Sequence, residues 1–219
     1  KIYPGKRYND ENMKTIIFLL TRLAEKYMAY LKFREDPFEE KSKLLVSFDK
    51  RKLEKHFHKL EKQITEELGN TQGTGLTLIN NKITFEKARG TFYTERNDEQ
   101  KIYEIELKYA ELMISSFLIE ILRQVNLLAR IKFMSFKLEY DFATEFMSMF
   151  DLEGFLKVLK ENSLNDVHLL EIYHKMYLTL DESAAFEDYL NFRNSFFNNK
   201  DSLGKNEQYI ITTLMVNVL

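Results

Sequence analysis

Apolar residues recur at intervals of three and four positions in the last part of the chain, from Asn165 to Leu219. This spacing places the apolar side chains along one side of a 3.6-residue helix, so it predicts amphipathic helices. Polar segments at 181–183 and 198–201 interrupt the pattern. We therefore predict two helices, a connection of three residues that leaves them side by side and antiparallel, and a third helix that starts near Asn206.

Each of these helices needs a neighbour to cover its apolar side. The residues on that side are Leu169, Ile172, Tyr173, Met176, Tyr177 and Leu180 in the first helix, Phe186, Tyr189, Leu190, Phe196 and Phe197 in the second, and Ile210, Ile211, Leu214, Met215 and Val218 in the third. We expect the third helix to be covered either by the preceding pair or by another chain, which would give an oligomer through residues 206–219.

The same spacing predicts helices earlier in the chain. One runs from Asn9 or Asp10 to about Phe33, and the next begins at Asp36-Pro37-Phe38-Glu39, where the aspartate can cap the helix and the proline suits its first turn. A further stripe ends at Gly69-Asn70. The apolar sides are Met13, Ile16, Ile17, Leu20, Leu23, Tyr27 and Leu31 in the first helix, Leu44, Leu45 and Phe48 in the next, and Leu53, Phe57, Leu60, Ile64 and Leu68 in the last.

The longest predicted helix runs from about Glu99, after Asn97-Asp98, into the 130s. Apolar residues occupy two of its sides, so we expect it to be buried between neighbouring helices. One side carries Ile102, Ile105, Tyr109, Leu112, Phe117, Ile121, Val125 and Leu128, and the other carries Leu107, Ala110, Ile114, Leu118 and Leu122.

Residues 76–85 fit two structures. Leu76, Leu78, Ile83 and Phe85 would share one face of a small β-hairpin that turns at Asn80-Asn81, since asparagine tolerates both corners of a type I′ turn. The same residues also fit a helix that continues through Ala88 and Phe92. We favour the helix, because an isolated two-stranded hairpin is marginally stable and the sequence shows no other strand to pair with it.

Composition supports an all-α fold. Seven glycines and two prolines are too few for the many turns of an all-β protein. Charged residues make up 30% of the chain and nearly cancel to a net charge of −2, so no global field favours nucleic acid or an anionic membrane. The absence of cysteine excludes disulfides, cysteine-ligated zinc and thiol nucleophiles, and it fits a reducing compartment.

We predict one α-helical domain over residues 1–219. It consists of N-terminal helices at 1–68, a flexible loop at 69–75 and a helical-repeat part at 76–219, in which antiparallel helix pairs stack as an α-solenoid like that of tetratricopeptide repeat (TPR) proteins, or as an irregular helical bundle. The first residue is Lys1 instead of methionine, so we expect a piece of a longer chain. The most apolar run, Leu112 to Leu122, is too short to span a bilayer, and we expect a cytoplasmic protein without a membrane partner.

The sequence from Met113 to Leu219 resembles a family of uncharacterised bacterial helical-repeat proteins. The resemblance is carried by Tyr140-Asp141-Phe142, by the tract from Leu170 to Tyr177, and by the closing helix from Tyr209 to Asn217. It implies a TPR-like fold and supplies no activity or site residues.

Three motifs suggest ligand sites. Glu171 and His174 share a helix face as in di-iron bundles, but the second Glu-x-x-His of such bundles is missing. The glycine-rich segment Gly69 to Gly75 lacks the Lys-Ser/Thr of a phosphate loop and follows a helix, so we interpret it as a linker. The segment Asn199 to Gly204 resembles a calcium loop, but Leu203 occupies a ligand position. We predict no metal or cofactor at any of them.

Two further sets have a structural interpretation. Glu120 and Arg123 lie on a strongly apolar helix, where buried charges can mark an active site. At a spacing of three residues they can also pair with each other, and we favour that interpretation. Tyr173, Tyr177 and Tyr189 need partners for their hydroxyls, so we expect them at the edge of a groove between helices, where a peptide could dock.

A basic strip at residues 51–62 is the best electrostatic candidate. At about 100° per residue its members fall on one side of a helix, which could follow phosphates. The strip lies opposite an apolar stripe, where solvated charge is normal, and glutamates dilute it, so nucleic-acid binding is the weaker interpretation. Its members are Arg51, Lys52, Lys55, Lys59 and Lys62.

No catalytic, cofactor-binding or metal-ligating residues emerge from these patterns. We predict a non-catalytic helical-repeat module that mediates protein–protein interaction or assembly, with another protein or the rest of its parent chain as the partner. One alternative is an enzyme whose catalytic residues come together only in the fold. The other is a nucleic-acid binder that uses residues 51–62.

Overall fold

The computed structural model describes residues 10–34, 36–71, 73–134, 142–161, 167–179 and 186–215. About 91% of these residues are helical, and no strand occurs among them. The predicted all-α fold is therefore confirmed. Several predictions fall outside the described residues: the possible helix start at Asn9, the residues Tyr140-Asp141 of the resemblance, Asn165, residues 180–183 and Val218.

The described residues form ten α-helices and one turn of 3₁₀-helix, which fall into two compact units, Lys1–Leu60 and Glu61–Leu219. The expected single domain with a loop at 69–75 stays a prediction. The helices are α1 Asp10–Arg34, α2 Pro37–Lys50, α3 Glu54–Asn70, α4 Leu76–Thr94, α5 Glu99–Met134, α6 Phe142–Met149, α7 Leu152–Glu161, α8 Val167–Leu178, α9 Phe186–Asn199 and α10 Lys205–Met215, with the 3₁₀ turn at Lys200–Ser202 between α9 and α10.

Helix boundaries follow the predicted caps. The Asp36 carboxylate accepts the backbone N–H groups of Phe38 and Glu39 at 2.9 and 3.0 Å, with Pro37 in the first turn of α2. Asp98 in the same way accepts the Lys101 N–H at 3.2 Å at the start of α5. These bonds satisfy backbone donors that have no partner inside a helix, so they fix where α2 and α5 begin.

Residues 76–85 form the first half of α4, so the hairpin alternative is wrong and the helix is confirmed. Ile79, Phe85, Ala88 and Phe92 are buried at helical spacing, and α4 packs against α5. A helix satisfies its backbone groups internally, whereas a hairpin would need further strands to cover its edges.

The core of the second unit lies around α5 and α8. Helix α5 packs against α4, α6 and α8, and α8 packs in addition against α7 and α9. Helix α10 contributes Ile211, Leu214 and Met215 to this core, and all three are buried. The predicted apolar face of the last helix is thus covered from inside the chain over its described part, and an oligomer through 206–219 stays a prediction.

A backbone contact ties the start of α4 to the start of α10. The Thr74 N–H donates to the Ser202 carbonyl at 2.6 Å, and the Gly204 N–H donates to the Thr74 carbonyl at 2.8 Å. Gly73, just before it, has φ of +90°, and a Cβ there would lie 3.1 Å from the Gly204 nitrogen. Glycine is required at this position both for its backbone conformation and for the close approach of the two segments.

Candidate functional site

An exposed apolar stripe runs along α5. Its members follow one another at spacings of four and three residues, so they lie on one side of the helix. The four large side chains are between 48% and 71% exposed. We name this set the α5 surface; it comprises Tyr103, Leu107, Ala110, Ile114 and Phe117.

This exposure corrects the expected burial of α5 on two sides. Ile105, Leu112, Leu118 and Leu122 are buried as predicted, but most of the other apolar side faces outward. Helices α4, α6 and α8 pack against α5, yet Tyr103, Leu107 and Ile114 stay about half exposed or more. At the end of the α5 surface, the Phe117 ring meets Phe146 of α6 with 6.0 Å between centroids.

Acidic side chains border the α5 surface. At 100° per residue, Glu104 and Glu111 flank it on one side and Glu106 flanks it on the other. From Glu99 to Glu120 the helix carries five glutamates and two lysines. The stripe is thus an apolar strip with a negative rim, which favours a ligand with an apolar face and basic edges.

A buried cluster of charges lies beside α4, and we name it the Arg89 cluster. The Glu86 side chain is 2% exposed and receives Arg89 Nη1 at 2.6 Å and Lys108 Nζ at 3.1 Å. Arg89 Nε also donates to Glu61 Oε1 at 2.8 Å, and the Tyr93 hydroxyl lies 3.1 Å from both Glu61 oxygens. Each carboxylate forms an ion pair or a hydrogen bond with a neighbouring side chain, which indicates a structural network.

The titration of the Arg89 cluster follows from these contacts. Burial opposes the charge on Arg89, but its hydrogen bond to Glu61 and the charge of Glu86 outweigh burial and raise its pKa. Burial, with the nearby charge of Glu61, raises the pKa of Tyr93 to about 12. Both shifts keep the Arg89 side chain charged and the Tyr93 hydroxyl protonated at neutral pH, which suits their roles as hydrogen-bond donors.

A second buried polar cluster joins α5, α8 and α10, and we name it the Glu207 cluster. The Tyr173 hydroxyl donates to Glu207 Oε1 at 3.3 Å, and Arg123 Nη1 lies 3.9 Å from the same oxygen. The Leu76 N–H also bonds to the Glu207 carboxylate. Since Gly75 offers α4 no side-chain cap, Glu207 supplies an acceptor there from a distant helix.

Burial raises the pKa of both acids in the Glu207 cluster. For Glu207, burial outweighs the opposing effects of the Arg123 charge and of the hydrogen bonds from Tyr173 and Leu76. For Tyr173, the negative charge of Glu207 adds to the effect of burial. Such perturbed groups can mark active sites, but Glu207 and Tyr173 are 2% and 0% exposed and do not line the cavity beside the Arg89 cluster or the one along α7 and α8.

Two sequence predictions are wrong at the Glu207 cluster. Arg123 lies against Glu207 of α10, whereas Glu120 is exposed, so the predicted pairing of Arg123 with Glu120 does not occur. Tyr173 is fully buried instead of lying at a groove edge, because Glu207 provides a partner for its hydroxyl inside the core. Tyr177 and Tyr189 are partly buried against the same core.

Open cavities line the described part of the second unit, and two of them exceed 600 Å³. One of about 680 Å³ lies next to the Arg89 cluster, where Lys82, Lys108 and His168 face Glu86 and Glu111. The other, of about 660 Å³, lies along α7 and α8. Both have mixed charge in their linings, and the hydroxyls of Thr74 and Ser202 in the first donate to backbone carbonyls instead of to a base.

The second cavity contains the predicted Glu171 and His174 pair. The Glu171 carboxylate forms an ion pair with Lys160 Nζ and lies 3.6 Å from His168 Nδ1. Within the part of the chain that the structure describes, no three His, Cys, Asp or Glu side chains are arranged to hold a metal ion. The carboxylate that a metal would need is thus held by a lysine.

His174 makes the folded chain less stable in mild acid. Burial lowers its pKa below that of an unfolded histidine, so the folded state binds the proton less tightly. Its contribution to stability is complete above pH 6.5, the pKa in the unfolded chain. This contribution is lost as the pH falls towards the lower pKa that His174 has in the folded chain. Urea unfolding at pH 7.5 and pH 5.5 measures how much unfolding free energy each protein loses on acidification. We expect His174→Gln to lose less than wild type. The difference should stay below about 1.4 kcal/mol per pH unit, the limit for one proton. Equal losses in the two proteins would contradict this assignment.

The basic strip at 51–62 does not form one helix face. Helix α2 ends at Lys50, Arg51 caps it, and Lys52 has φ of +56°, so these two basic residues lie in a turn before α3. Lys55 and Lys59 are exposed on α3, and Lys62 lies 3.9 Å from Glu66. A phosphate backbone would therefore meet a shorter basic row than predicted.

The two loop motifs have structural roles. Gly69 belongs to α3, and the end of that segment is fixed by the Thr74 contacts. Leu203, in the segment that resembles a calcium loop, is buried and pairs with Thr74. An apolar side chain packed inward leaves no oxygen at that ligand position for calcium.

Helix α5 is the one described helix that is long and apolar enough to cross a membrane. The candidate segment is Glu99–Ala129, with a mean hydropathy of 1.5 in its most apolar window, of which 33% is buried. The core helix of a soluble protein meets the same criteria, so the expected absence of a membrane partner stays a prediction.

No protein-family model matches the chain, and no curated protein or solved structure shows significant similarity to it. The resemblance to bacterial helical-repeat proteins over residues 113–219 stays a prediction.

Proposed function

We propose that the chain is a non-catalytic helical module that mediates protein–protein interaction through the α5 surface. The observation that carries this proposal is the continuous apolar stripe from Tyr103 to Phe117, whose large side chains stay between 48% and 71% exposed although Phe117 contacts α6. Exposed apolar strips with a polar rim are typical of docking sites. The partner is another protein or another part of the parent chain.

The form of the α5 surface favours an amphipathic helix as its ligand. Apolar side chains at helical spacing receive a partner helix through its own row at i, i+3, i+4 and i+7. The rim of Glu104, Glu106 and Glu111 favours lysine or arginine beside that row. The same glutamates disfavour an anionic bilayer surface, which attracts basic segments.

The broader setting of this proposal is a TPR-like array in a bacterial cytoplasmic protein. Support comes from consecutive contacts between helices: α5 packs against α4 and α8, and α8 packs against α7 and α9. Such an array would present α5 as one wall of a groove. The enzyme and the nucleic-acid binder remain the alternative predictions.

A matched pair of substitutions tests the proposed docking. Ile114 and Val158 are β-branched and about half exposed, the first on the α5 surface and the second on α7. We expect tagged wild type and Val158→Glu to recover the same partner from the source cell, and Ile114→Glu to recover at least about tenfold less, since a charge in an apolar contact loses its hydration. Partners would be identified by mass spectrometry and their affinities measured on purified proteins.

Two results would contradict the proposal. One is a reproducible partner that binds Ile114→Glu as well as wild type. The other is the absence of any partner for wild type under cross-linking conditions. Equal melting temperatures of the three proteins would show that the loss of binding does not arise from unfolding.

A further inference from the structure

Helix α1 exposes a long apolar face. Of its described side chains, only those of Met13 and Ile16 are partly covered, and all others are exposed. Leu20 and Leu23 are 58% and 64% exposed. A helix of 25 residues with so much exposed apolar surface needs a partner to bury it.

The apolar residues of α1 follow a heptad repeat. Two positions of the repeat form the seam of a two-stranded coiled coil, and their spacing averages 3.5 residues. One position is occupied by Asp10, Ile17, Ala24 and Leu31, and the other by Met13, Leu20, Tyr27 and Arg34. The helix thus carries a seam for one further helix.

The seam is complementary to itself in the antiparallel direction. Consider two antiparallel α1 helices whose Arg22 residues lie level with each other. A residue of one helix then lies opposite the residue that is equally far from Arg22, on its other side, in the second helix. Met13 then meets Leu31 of the second copy, Ile17 meets its Tyr27, and Leu20 meets its small Ala24. Each layer pairs the two different seam positions, as antiparallel packing requires, so every apolar layer has an apolar counterpart.

The charges at the ends of α1 select the same direction. Asp10 and Arg34 occupy the outermost seam positions, so an antiparallel pair places each opposite the other, whereas a parallel pair would place like charges together. Arg22 at the crossing point lies on the far side of the helix, where its guanidinium stacks over the Phe18 ring at 5.5 Å. No like charges therefore meet at the centre.

We propose that two copies of this chain associate through antiparallel pairing of their α1 helices. About eight half-exposed apolar side chains from each copy would be covered, which corresponds to on the order of 1,500 Å² in total and reaches the size of a standard specific interface. The self-complementary seam favours a second copy over an unrelated helix. The proposed pairing uses no residue of the α5 surface.

Adjacent leucines provide a matched test of this interface. Leu20 lies in the seam, and Leu19 lies outside it with the same exposure of 58%. Sedimentation equilibrium at micromolar concentration should give twice the 26.2 kDa chain mass for wild type and Leu19→Glu. Leu20→Glu should be monomeric, with a dimer dissociation constant at least about 100-fold higher. A monomeric wild type, or a Leu20→Glu variant that still dimerises, would overturn the proposal. If monomeric Leu20→Glu still recovers the partner that binds the α5 surface, dimerisation and the proposed function are separate properties.

Cross-linking tests the direction, since the chain has no cysteine of its own. The double variant Met13→Cys/Leu31→Cys should form a disulfide-linked dimer under mild oxidation, and Met13→Cys alone should not. A cross-linked dimer from the single variant would show parallel pairing and overturn the proposed geometry. The exchange variant Asp10→Arg/Arg34→Asp should dimerise as wild type does, whereas Arg34→Asp alone should raise the dissociation constant about tenfold or more.

Discussion

Replacing Arg89 with methionine is expected to lower the free energy of unfolding of the Glu61–Leu219 unit by about 3 kcal/mol. Arg89 is the cation between Glu61 and Glu86, and the Glu86 side chain is 2% exposed. Without Arg89, Glu86 keeps Lys108 alone, and Glu61 keeps only the Tyr93 hydroxyl among its bonds within the cluster. Removing one partner of a buried ion pair costs about 3–5 kcal/mol, and the 19% exposure of Arg89 places the loss at the lower end.

The measurement is urea unfolding followed by circular dichroism, with Lys101→Met as the control. Lys101 pairs with Glu104 at 3.4 Å, but both side chains are about half exposed. Surface ion pairs of this kind contribute about 0–1 kcal/mol, so the control should unfold close to wild type. A loss below about 1 kcal/mol for Arg89→Met would show that solvent reaches the Arg89 cluster far more than its burial indicates.

Arg89→Lys separates the charge of Arg89 from its geometry. Lysine keeps the positive charge but cannot reach Glu61 and Glu86 with a planar fork of donors. We expect a stability between those of wild type and Arg89→Met. A value equal to that of Arg89→Met would assign the whole effect to hydrogen-bond geometry.

Local sequence signals were sufficient to predict most helices. Asp36 with Pro37, Gly69-Asn70 and Asp98 mark the boundaries of α2, α3 and α5, because caps and turn residues act within a few positions of themselves. The helical spacing of Ile79, Phe85, Ala88 and Phe92 was a better guide to α4 than the Asn80-Asn81 turn signal. That signal fails because asparagine also fits on a helix, where Asn80 accepts a hydrogen bond from Ser116 of α5.

The exposed surfaces could not be predicted in the same way. Helix α5 is apolar on two sides, and the positions of α4 and α8 decide which one is buried. The seven residues predicted to line α1 do form one helix face, but spacing alone does not show whether a neighbour covers it. The acidic rim of Glu104, Glu106 and Glu111 is the sequence signal that could have marked the exposed side of α5.

The buried clusters depend on contacts between distant positions. Glu61 and Arg89 are 28 residues apart, and Tyr173 and Glu207 are 34 residues apart. No spacing rule joins such pairs, and spacing alone therefore predicts the wrong partner for Arg123, the nearby Glu120. A charged residue that interrupts an apolar stripe, such as Glu86 in α4, indicates that a partner exists without showing which residue it is.

Replacing Glu207 with alanine should lower the free energy of unfolding by about 2–4 kcal/mol, because two buried donors lose their acceptor. These donors are the Tyr173 hydroxyl and the Leu76 N–H at the start of α4, where Gly75 provides no cap. Glu207→Gln keeps an oxygen that can accept both bonds and should be less damaging. Glu106→Ala, which removes an exposed glutamate from α5, is the matched control.

The same site should respond to pH in the opposite sense to most carboxylates. Burial raises the pKa of Glu207, so the folded state binds its proton more tightly than the unfolded state, whose pKa is 4.5. The resulting stabilisation is complete below pH 4.5 and is lost as the pH rises through the folded pKa. We therefore expect the stability of wild type relative to Glu207→Gln to fall between pH 4 and pH 7, with a slope of at most about 1.4 kcal/mol per pH unit. A relative stability that rises over this range would mean that the ion pair with Arg123 outweighs burial and holds Glu207 charged.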